Sequence, residues 1–140
     1  MPGRHPTVAI VEGYYGVRRP IARYLEHFNF NVAEAENAER AVAVLQEARP
    51  AVVLIEAGKS TAFEAIHTQA HALDIPVISM IAAFSDAETA RAEAAGAAGI
   101  LLKPFTLGTM LDEIRRVLRA RMDAEAGKPG APGDPRNADS

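Results

Sequence analysis

The chain alternates short apolar runs with longer stretches in which apolar residues recur every three or four positions. An unbroken apolar run is typical of a strand buried on both faces of a parallel sheet, whereas an alternating run predicts an edge strand or a half-exposed one. The run that starts at Phe30 alternates, and the others are nearly continuous. The pattern therefore predicts five strands, at Thr7 to Val11, Phe30 to Ala35, Ala51 to Glu56, Ile75 to Ile81 and Gly99 to Leu102.

The stretches between these runs have helical periodicity. The first helix is predicted to begin near Val17, with Pro20 in its first turn, where no intrahelical donor is lost. Asn29 is a plausible left-handed stop for it. Asn37 is a good N-cap for the second helix, which Pro50 ends.

The other three helices also have recognisable starts. Thr61 to Glu64 and Ser85 to Glu88 fit the capping-box pattern, and Thr106 is a suitable cap for the last helix. The helix after Ser85 has almost nothing but alanine to bury, and each alanine contributes less than a buried leucine. We therefore predict that this fourth helix is the least firmly docked.

Strands that alternate with helices predict a doubly wound parallel α/β sheet, although periodicity does not give the strand order. Ligand chemistry in such folds lies at the carboxyl ends of the strands. Glu12 and Glu56 follow or end the first and third strands there, and Lys103 follows the fifth.

Composition narrows the function classes. The chain has 140 residues, 49% of them hydrophobic, a net charge of -3 and no cysteine. These values favour one domain, and they argue against a dedicated nucleic-acid binder, a disulfide framework or a thiolate metal site. No apolar run approaches bilayer length and no signal peptide is evident, so we expect a soluble cytoplasmic protein without membrane contact. We predict a loose lead-in at 1–6, a folded domain at 7–122 and a disordered tail at 123–140.

Several short motifs together resemble a known family. They are Arg18-Arg19, Pro76-Val-Ile, Ala94-Ala-Gly96-Ala and, above all, Leu102-Lys103-Pro104-Phe105. From about Thr7 to Arg121 the chain resembles the response-regulator receiver domain of bacterial two-component signalling. The resemblance implies a flavodoxin-like fold with strand order 2-1-3-4-5 and a crevice between strands one and three.

The resemblance also implies a site chemistry. In active receivers an aspartate ending strand three accepts a phosphoryl group from a kinase phosphohistidine, and an acidic pair after strand one holds Mg²⁺. A serine or threonine ending strand four and a lysine after strand five contact the phosphoryl oxygens. An aromatic residue in strand five often reports the switch.

This chain departs from that pattern at most of these positions. Lys103 and Pro104 are retained, and the resemblance implies a cis bond between them. The substituted positions are the acceptor, the acidic pair, the hydroxyl and the aromatic, which are occupied by Glu56, Glu12-Gly13, Ile81 and Ile100, respectively. An isoleucine cannot donate a hydrogen bond to a phosphoryl oxygen, and the acidic pair has lost one of its two carboxylates.

We therefore predict a pseudo-receiver in which Glu56 and Lys103 form a fixed ion pair. It would have no enzymatic activity and no cofactor, with Mg²⁺ binding weak or absent. Expected partners are a histidine kinase, a phosphotransfer protein or another signalling protein, bound through the face of helix four, strand five and helix five. The alternatives are a working phosphorelay receiver with an unusual site and a homodimeric scaffold.

For other candidate groups the sequence gives weaker evidence of function. His67 and His71, with Glu64 one turn earlier, have a metal-ligand spacing, but the helix is expected to face solvent and no third ligand is evident. Tyr14 and Tyr15 are either a lid over Glu56 or ordinary loop aromatics.

Two further patterns have competing interpretations. Gly13-x-x-Gly16 only faintly resembles a phosphate-binding loop, which makes a flavin or nucleotide enzyme a weak third reading. A basic cluster near the end of the last helix either complements the helix dipole or forms a docking surface. Its members are Arg115, Arg116, Arg119 and Arg121.

Overall fold

Five parallel strands form one sheet in the order β2-β1-β3-β4-β5. The structure, a computed structural model, describes residues 5–58 and 62–127. The strands are β1 (Thr7–Val11), β2 (Asn31–Ala35), β3 (Val52–Glu56), β4 (Val77–Ala82) and β5 (Gly99–Lys103). The helices are α1 (Tyr15–His27), α2 (Ala38–Ala48), α3 (Ala62–Ala72), α4 (Asp86–Ala94) and α5 (Leu107–Gly127). The predicted doubly wound, flavodoxin-like fold and its strand order are confirmed.

Alternate side chains of the central strands supply two separate cores, one on each face of the sheet. On one face, Ile10 and Leu54 pack with Leu25 of α1 and Ile114 of α5. On the other face, the core combines residues of the sheet with residues of α2 and α3. Because β3 is buried on both faces, its near-continuous apolar sequence follows directly from its central place.

The predicted caps in the described residues are present. The Asn37 side chain accepts a hydrogen bond from Arg40 N at 2.8 Å, and Thr106 Oγ1 accepts from Thr109 N at 3.0 Å. Ser85 Oγ accepts from Glu88 N at 3.2 Å, so the cap forms. The predicted capping box is only half formed, because the Glu88 carboxylate accepts from Ala82 N at 3.0 Å while Ser85 N donates to the Ala82 carbonyl. The predicted cap at Thr61 lies outside the described residues.

Two helix boundaries were predicted wrongly. α1 begins at Tyr15, so Pro20 lies in the second turn and not in the first. At this position proline removes the donor that would reach the Gly16 carbonyl, and its ring crowds that carbonyl, so the site is costlier than a first-turn position. α5 continues past the predicted boundary at Met122 to Gly127, since Ala and Glu in this stretch are good helix formers.

The ends of the predicted domain also differ in part. Within the predicted lead-in of 1–6, the His5 and Pro6 carbonyls accept hydrogen bonds from Asn31, and the domain boundaries stay a prediction. Within the predicted tail, 123–127 is helical. Residues 1–4 and 128–140 lie outside the described part of the chain.

Helix α4 is buried at a single residue, Ala92. This agrees with its alanine-rich sequence, and its weak docking stays a prediction. No helix in residues 5–58 and 62–127 is both long and apolar enough to cross a membrane.

Candidate functional site

A cleft of about 510 Å³ opens at the carboxyl edge of the sheet, beyond the neighbouring strands β1 and β3, whose following helices α1 and α3 lie on opposite faces of the sheet. This is the switch point at which open α/β folds bind ligands. Its lining contains three of the predicted site residues that carry a charge, Glu12, Glu56 and Lys103. The other lining residues include Val11, Gly13, Tyr14, Val17, Asn37, Ala38, Ile55, Gly58, Ala62, Phe63, Ile66, Met80 and Phe105.

Glu56 and Lys103 form an ion pair in which Lys103 Nζ donates to Glu56 Oε1. Glu56 is the last residue of β3 and Lys103 the last of β5, so the pair spans the end of β4. Their side chains are 35% and 36% exposed, which places the pair at the mouth of the cleft and within reach of water. The Lys103–Pro104 peptide bond is cis.

Glu12 is the buried acid of the cleft, at 7% exposure. Burial raises the pKa of the Glu12 carboxyl, and the nearby Glu56 carboxylate raises it further, against the lowering effects of the Tyr14 backbone hydrogen bond and the Lys103 charge. Tyr14 N donates to Glu12 Oε1 at 3.1 Å. The cleft therefore holds two carboxyls beside one ammonium.

Arg18 fixes the backbone beneath this acid. Its Nη1 donates to the Glu12 carbonyl at 2.8 Å, and its Nε donates to Glu34 Oε1 at 2.8 Å. Burial alone would raise the pKa of Glu34, but hydrogen bonds from Arg18 and Arg19 outweigh it and leave that pKa lowered. In the sequence, Arg18 was noted only as part of a motif that resembles the family, without a role in the site. Its contact with the site could not be read from spacing, because Glu34 lies on the neighbouring strand β2.

Gly13 lines the cleft at the second acidic-pair position. A Cβ atom there would lie 3.4 Å from the Glu36 carbonyl oxygen, which is ordinary contact distance, so space alone does not require glycine. Among residues 5–58 and 62–127 no group of three potential ligands is arranged to hold a metal ion.

The structure does not bring the two substituted switch positions into the cleft lining. Ile81 is fully buried in the core on the α2 and α3 face, and Ile100 is half-buried against the same core. Neither side chain carries a polar group. Tyr14 lines the cleft but is 77% exposed, whereas Tyr15 is absent from the lining and lies near Arg18.

Arg91 of α4 contacts the loop that follows Glu56, a contact that periodicity does not reveal. Its Nη1 donates to the Ala57 and Gly58 carbonyls, and its Nε donates to Glu64 Oε2 at 2.8 Å. The guanidinium also lies over the Phe63 ring, 4.7 Å from its centroid. One side chain thus connects α4 to the segment between β3 and α3.

The expectation that the His67 helix faces solvent is wrong for His67 itself. The residue is 2% exposed, and its Nε2 lies 3.3 Å from the buried Ser79 Oγ on β4. Burial is the main cause that lowers the pKa of His67 to about 4, and the nearby His71 lowers it further. Phe63, Ile66 and Ala70 are also buried, so His67 lies on the buried face of this helix.

The basic residues near the end of α5 are only partly free for other partners. Arg116 pairs with Glu113, whose pKa it lowers, and Arg121 pairs with Asp74 at 2.8 Å. The Arg115 guanidinium lies 5.8 Å from the centroid of the Phe28 ring. Internal contacts therefore account for three of the four arginines.

This sheet order and this cleft define a receiver-type α/β domain. The response regulator receiver domain family matches residues 8–115, and the chain belongs to that family. A comparison with curated proteins gave no significant match.

Solved structures of similar fold include several receivers. A CheY-like response regulator receiver domain protein from Methanospirillum hungatei is 18% identical, with a TM-score of 0.77, and the alignment covers 86% of this chain and 98% of that one. Vibrio cholerae chemotaxis protein CheY4 is 24% identical, with a TM-score of 0.70, covering 81% and 98%. The receiver domain of a modulated diguanylate cyclase from Desulfovibrio desulfuricans is 22% identical, with a TM-score of 0.74, covering 86% and 99%. At these identities the likeness shows the fold.

Proposed function

We propose that this receiver domain is a pseudo-receiver, which acts in two-component signalling by binding other proteins and is not phosphorylated. The observation that carries the proposal is the ion pair between Glu56 and Lys103. In the family the aspartate at the Glu56 position accepts the phosphoryl group and the lysine contacts it. Here the longer acid already engages that lysine, so the two groups satisfy each other without a phosphoryl group.

Charge in the cleft supports the same conclusion. A protein phosphate carries about -1.5 to -2 charges. It would have to enter beside the Glu12 carboxyl, where Lys103 is the one cationic side chain among the described lining residues, and without the hydroxyl donor that Ile81 replaces. The missing second acid at Gly13 weakens the Mg²⁺ site that would otherwise neutralise the phosphate. We infer weak or absent Mg²⁺ binding and no enzymatic activity.

The proposed partners are a histidine kinase, a phosphotransfer protein or another signalling protein. The face of α4, β5 and α5 supports this proposal, since Leu102 on β5 is 55% exposed and Phe84, just before α4, is fully exposed. Contiguous apolar patches mark protein interfaces, and we propose that these two side chains belong to one such patch. A pull-down that compares wild type with Glu56→Ala and Lys103→Ala tests whether the ion pair holds the domain in the conformation that its partner binds.

Exposure to acetyl phosphate and Mg²⁺, followed by intact-mass and peptide mass spectrometry, tests the absence of phosphorylation. We expect no mass increase at Glu56 in wild type. The double variant Gly13→Asp with Glu56→Asp restores two of the family's acids and serves as the comparison under identical conditions. A stable phosphoryl adduct on Glu56 of the wild-type chain would overturn the proposal.

A further inference from the structure

His67 is a titratable side chain enclosed in the core that α3 and α4 share with the sheet. Its ring centroid lies 4.5 Å from that of Phe63, and its Nε2 lies 3.3 Å from the uncharged Ser79 Oγ of β4. The buried Nδ1 has no hydrogen-bond partner in residues 5–58 and 62–127. An imidazolium carries two N–H donors and a charge, and all three need partners when they are buried. The closed structure therefore suits the neutral ring.

The charges around His67 come from both helices and oppose its protonation on balance. His71 lies one turn further along α3, with its ring centroid 6.1 Å from that of His67, and Arg91 belongs to α4. Burial is the main cause that lowers the pKa of His67, and His71 and Arg91 lower it further. The Ala95 backbone and Glu64 act in the opposite direction without outweighing these effects. A proton on the ring would add positive charge beside Arg91 where water does not reach.

Of the elements around this ring, α4 has the fewest buried residues. Phe63 and Ile66 of α3 are buried in the core, and every residue of β4 but the last is buried. Helix α4 buries Ala92 alone. An alanine removes much less apolar area from water than a phenylalanine or an isoleucine does, so α4 is the cover that costs least to lift.

The turn that follows α4 packs against the second histidine. Gly96 has a φ of +81°, and a Cβ atom there would lie 2.6 Å from His71 Cε1. The end of α4 and this turn therefore cover neighbouring histidines of one helix, and we expect them to move together.

We propose that His67 is a pH-operated latch, which holds the end of α4 on the sheet while its ring is neutral and releases it when the ring takes up a proton. In the open form the imidazolium reaches water and moves away from Arg91. The pKa of His67 is about 4 in the closed form and returns towards 6.5 in water, so opening is least at neutral pH and increases as the pH falls between these values. The latch goes beyond the proposed function. Only its consequence, weaker binding of a partner at the face that contains α4, rests on that function.

Hydrogen-exchange mass spectrometry of the full chain at about pH 7 and about pH 5 tests the latch, with each rate divided by that of an unstructured peptide at the same pH. We expect the protection of α4 and of the Gly96 turn to fall at least about tenfold on acidification. This fall should change little in low concentrations of urea, because a local opening exposes little surface. Exchange in β3, which requires global unfolding, should depend steeply on urea.

Three variants identify the group that titrates. His67→Phe keeps an aromatic ring beside Phe63 and should remove the acid response of α4. His67→Leu is the second variant, used if the amide spectrum of His67→Phe is not that of a folded protein. His71→Gln is the matched control, since it removes the neighbouring imidazole and leaves His67 in place, and it should retain most of the response.

Three results would overturn the latch. They are equal protection of α4 at the two pH values, exchange of α4 with the rate and urea dependence of β3, and an acid response that survives in His67→Phe but is lost in His71→Gln. No phosphoryl donor is present in this experiment, so its failure leaves the proposed function in place. A phosphoryl adduct on Glu56 in the mass-spectrometry assay would remove the proposed function without bearing on the latch, so the two failures are distinguishable.

Discussion

Glu56 and Lys103 connect the carboxyl ends of β3 and β5 across the end of β4. The pair therefore links two strands across a third at the edge where receivers carry their chemistry, and it uses the last residue of each of the two strands. Because both side chains are about one-third exposed, water screens the attraction, and the pair contributes no more than about 1 kcal/mol to stability. Its main effect is to fix the positions of these two charged side chains at the cleft.

Glu12 should report the state of this pair. Replacing Glu56 by Gln removes a neighbouring negative charge, so the pKa of Glu12 should fall. Lys103→Met removes a positive charge, so the pKa of Glu12 should rise. Carbon-detected NMR titration of the Glu12 carboxyl measures both changes, and Glu93→Gln on α4 is the control that should leave it unaltered. Shifts of the same sign in the two variants would contradict the charge assignment.

Gly13→Asp should strengthen Mg²⁺ binding. The added Cβ meets only the Glu36 carbonyl oxygen, at 3.4 Å, so the backbone has room for it, and the new carboxylate joins Glu12 and Glu56 at the cleft. A hard divalent cation gains from each added carboxylate, and we expect at least about a tenfold increase in affinity, equal to about 1.4 kcal/mol. Calorimetric titration with MgCl₂ measures it.

The matched control for this substitution is Gly16→Asp, which places the same charge within α1, where no heavy atom lies within 4 Å of an added Cβ. It should give little or no gain, because Gly16 does not line the cleft. Equal gains in Mg²⁺ affinity in the two variants would show that the overall change of charge, and not the acidic pair, determines the affinity.

Arg91→Ala should loosen α4 and the loop after Glu56 together. The variant removes hydrogen bonds to the Ala57 and Gly58 carbonyls and the stacking on Phe63, while Ala92 alone keeps the helix buried. We expect a loss of about 1–2 kcal/mol in the free energy of unfolding and faster amide exchange in both segments. Urea unfolding and hydrogen-exchange mass spectrometry measure these effects. Arg23→Ala, at an exposed site on α1, should change neither, and faster exchange confined to α4 would contradict the coupling.

The sequence predicted the layout of the fold because local signals and burial agree along most of the chain. Apolar runs located all five strands, and Asn37, Ser85 and Thr106 located three helix starts. The start of α1 was predicted too late because Tyr14 and Tyr15 carry no capping signal, and Tyr14 makes no side-chain cap hydrogen bond.

The candidate site was only partly predictable. Strand ends placed Glu12, Glu56 and Lys103 at one edge, since carboxyl ends of parallel strands lie together. Contacts that depend on the packing of distant elements gave no such signal. Arg91 reaches its carbonyls from 33 and 34 residues away, and His67 meets Ser79 across the helix–sheet boundary.

His67 should make the fold sensitive to mild acid. The unfolded chain binds a proton at His67 below about pH 6.5, whereas the buried ring does so only near pH 4, so the unfolded state binds more protons between these values. The contribution of neutral His67 to the free energy of unfolding is therefore complete above pH 6.5. It falls as the pH is lowered towards 4, by on the order of 2–3 kcal/mol. The charged groups around the ring are His71, Glu64 and Arg91.

Urea unfolding at a series of pH values should show this slope in wild type and a flatter one in His67→Phe, which keeps an aromatic ring beside Phe63 but cannot titrate. His27→Gln, at an exposed site on α1, should retain the wild-type slope, and an unchanged slope in His67→Phe would assign the acid sensitivity to another group.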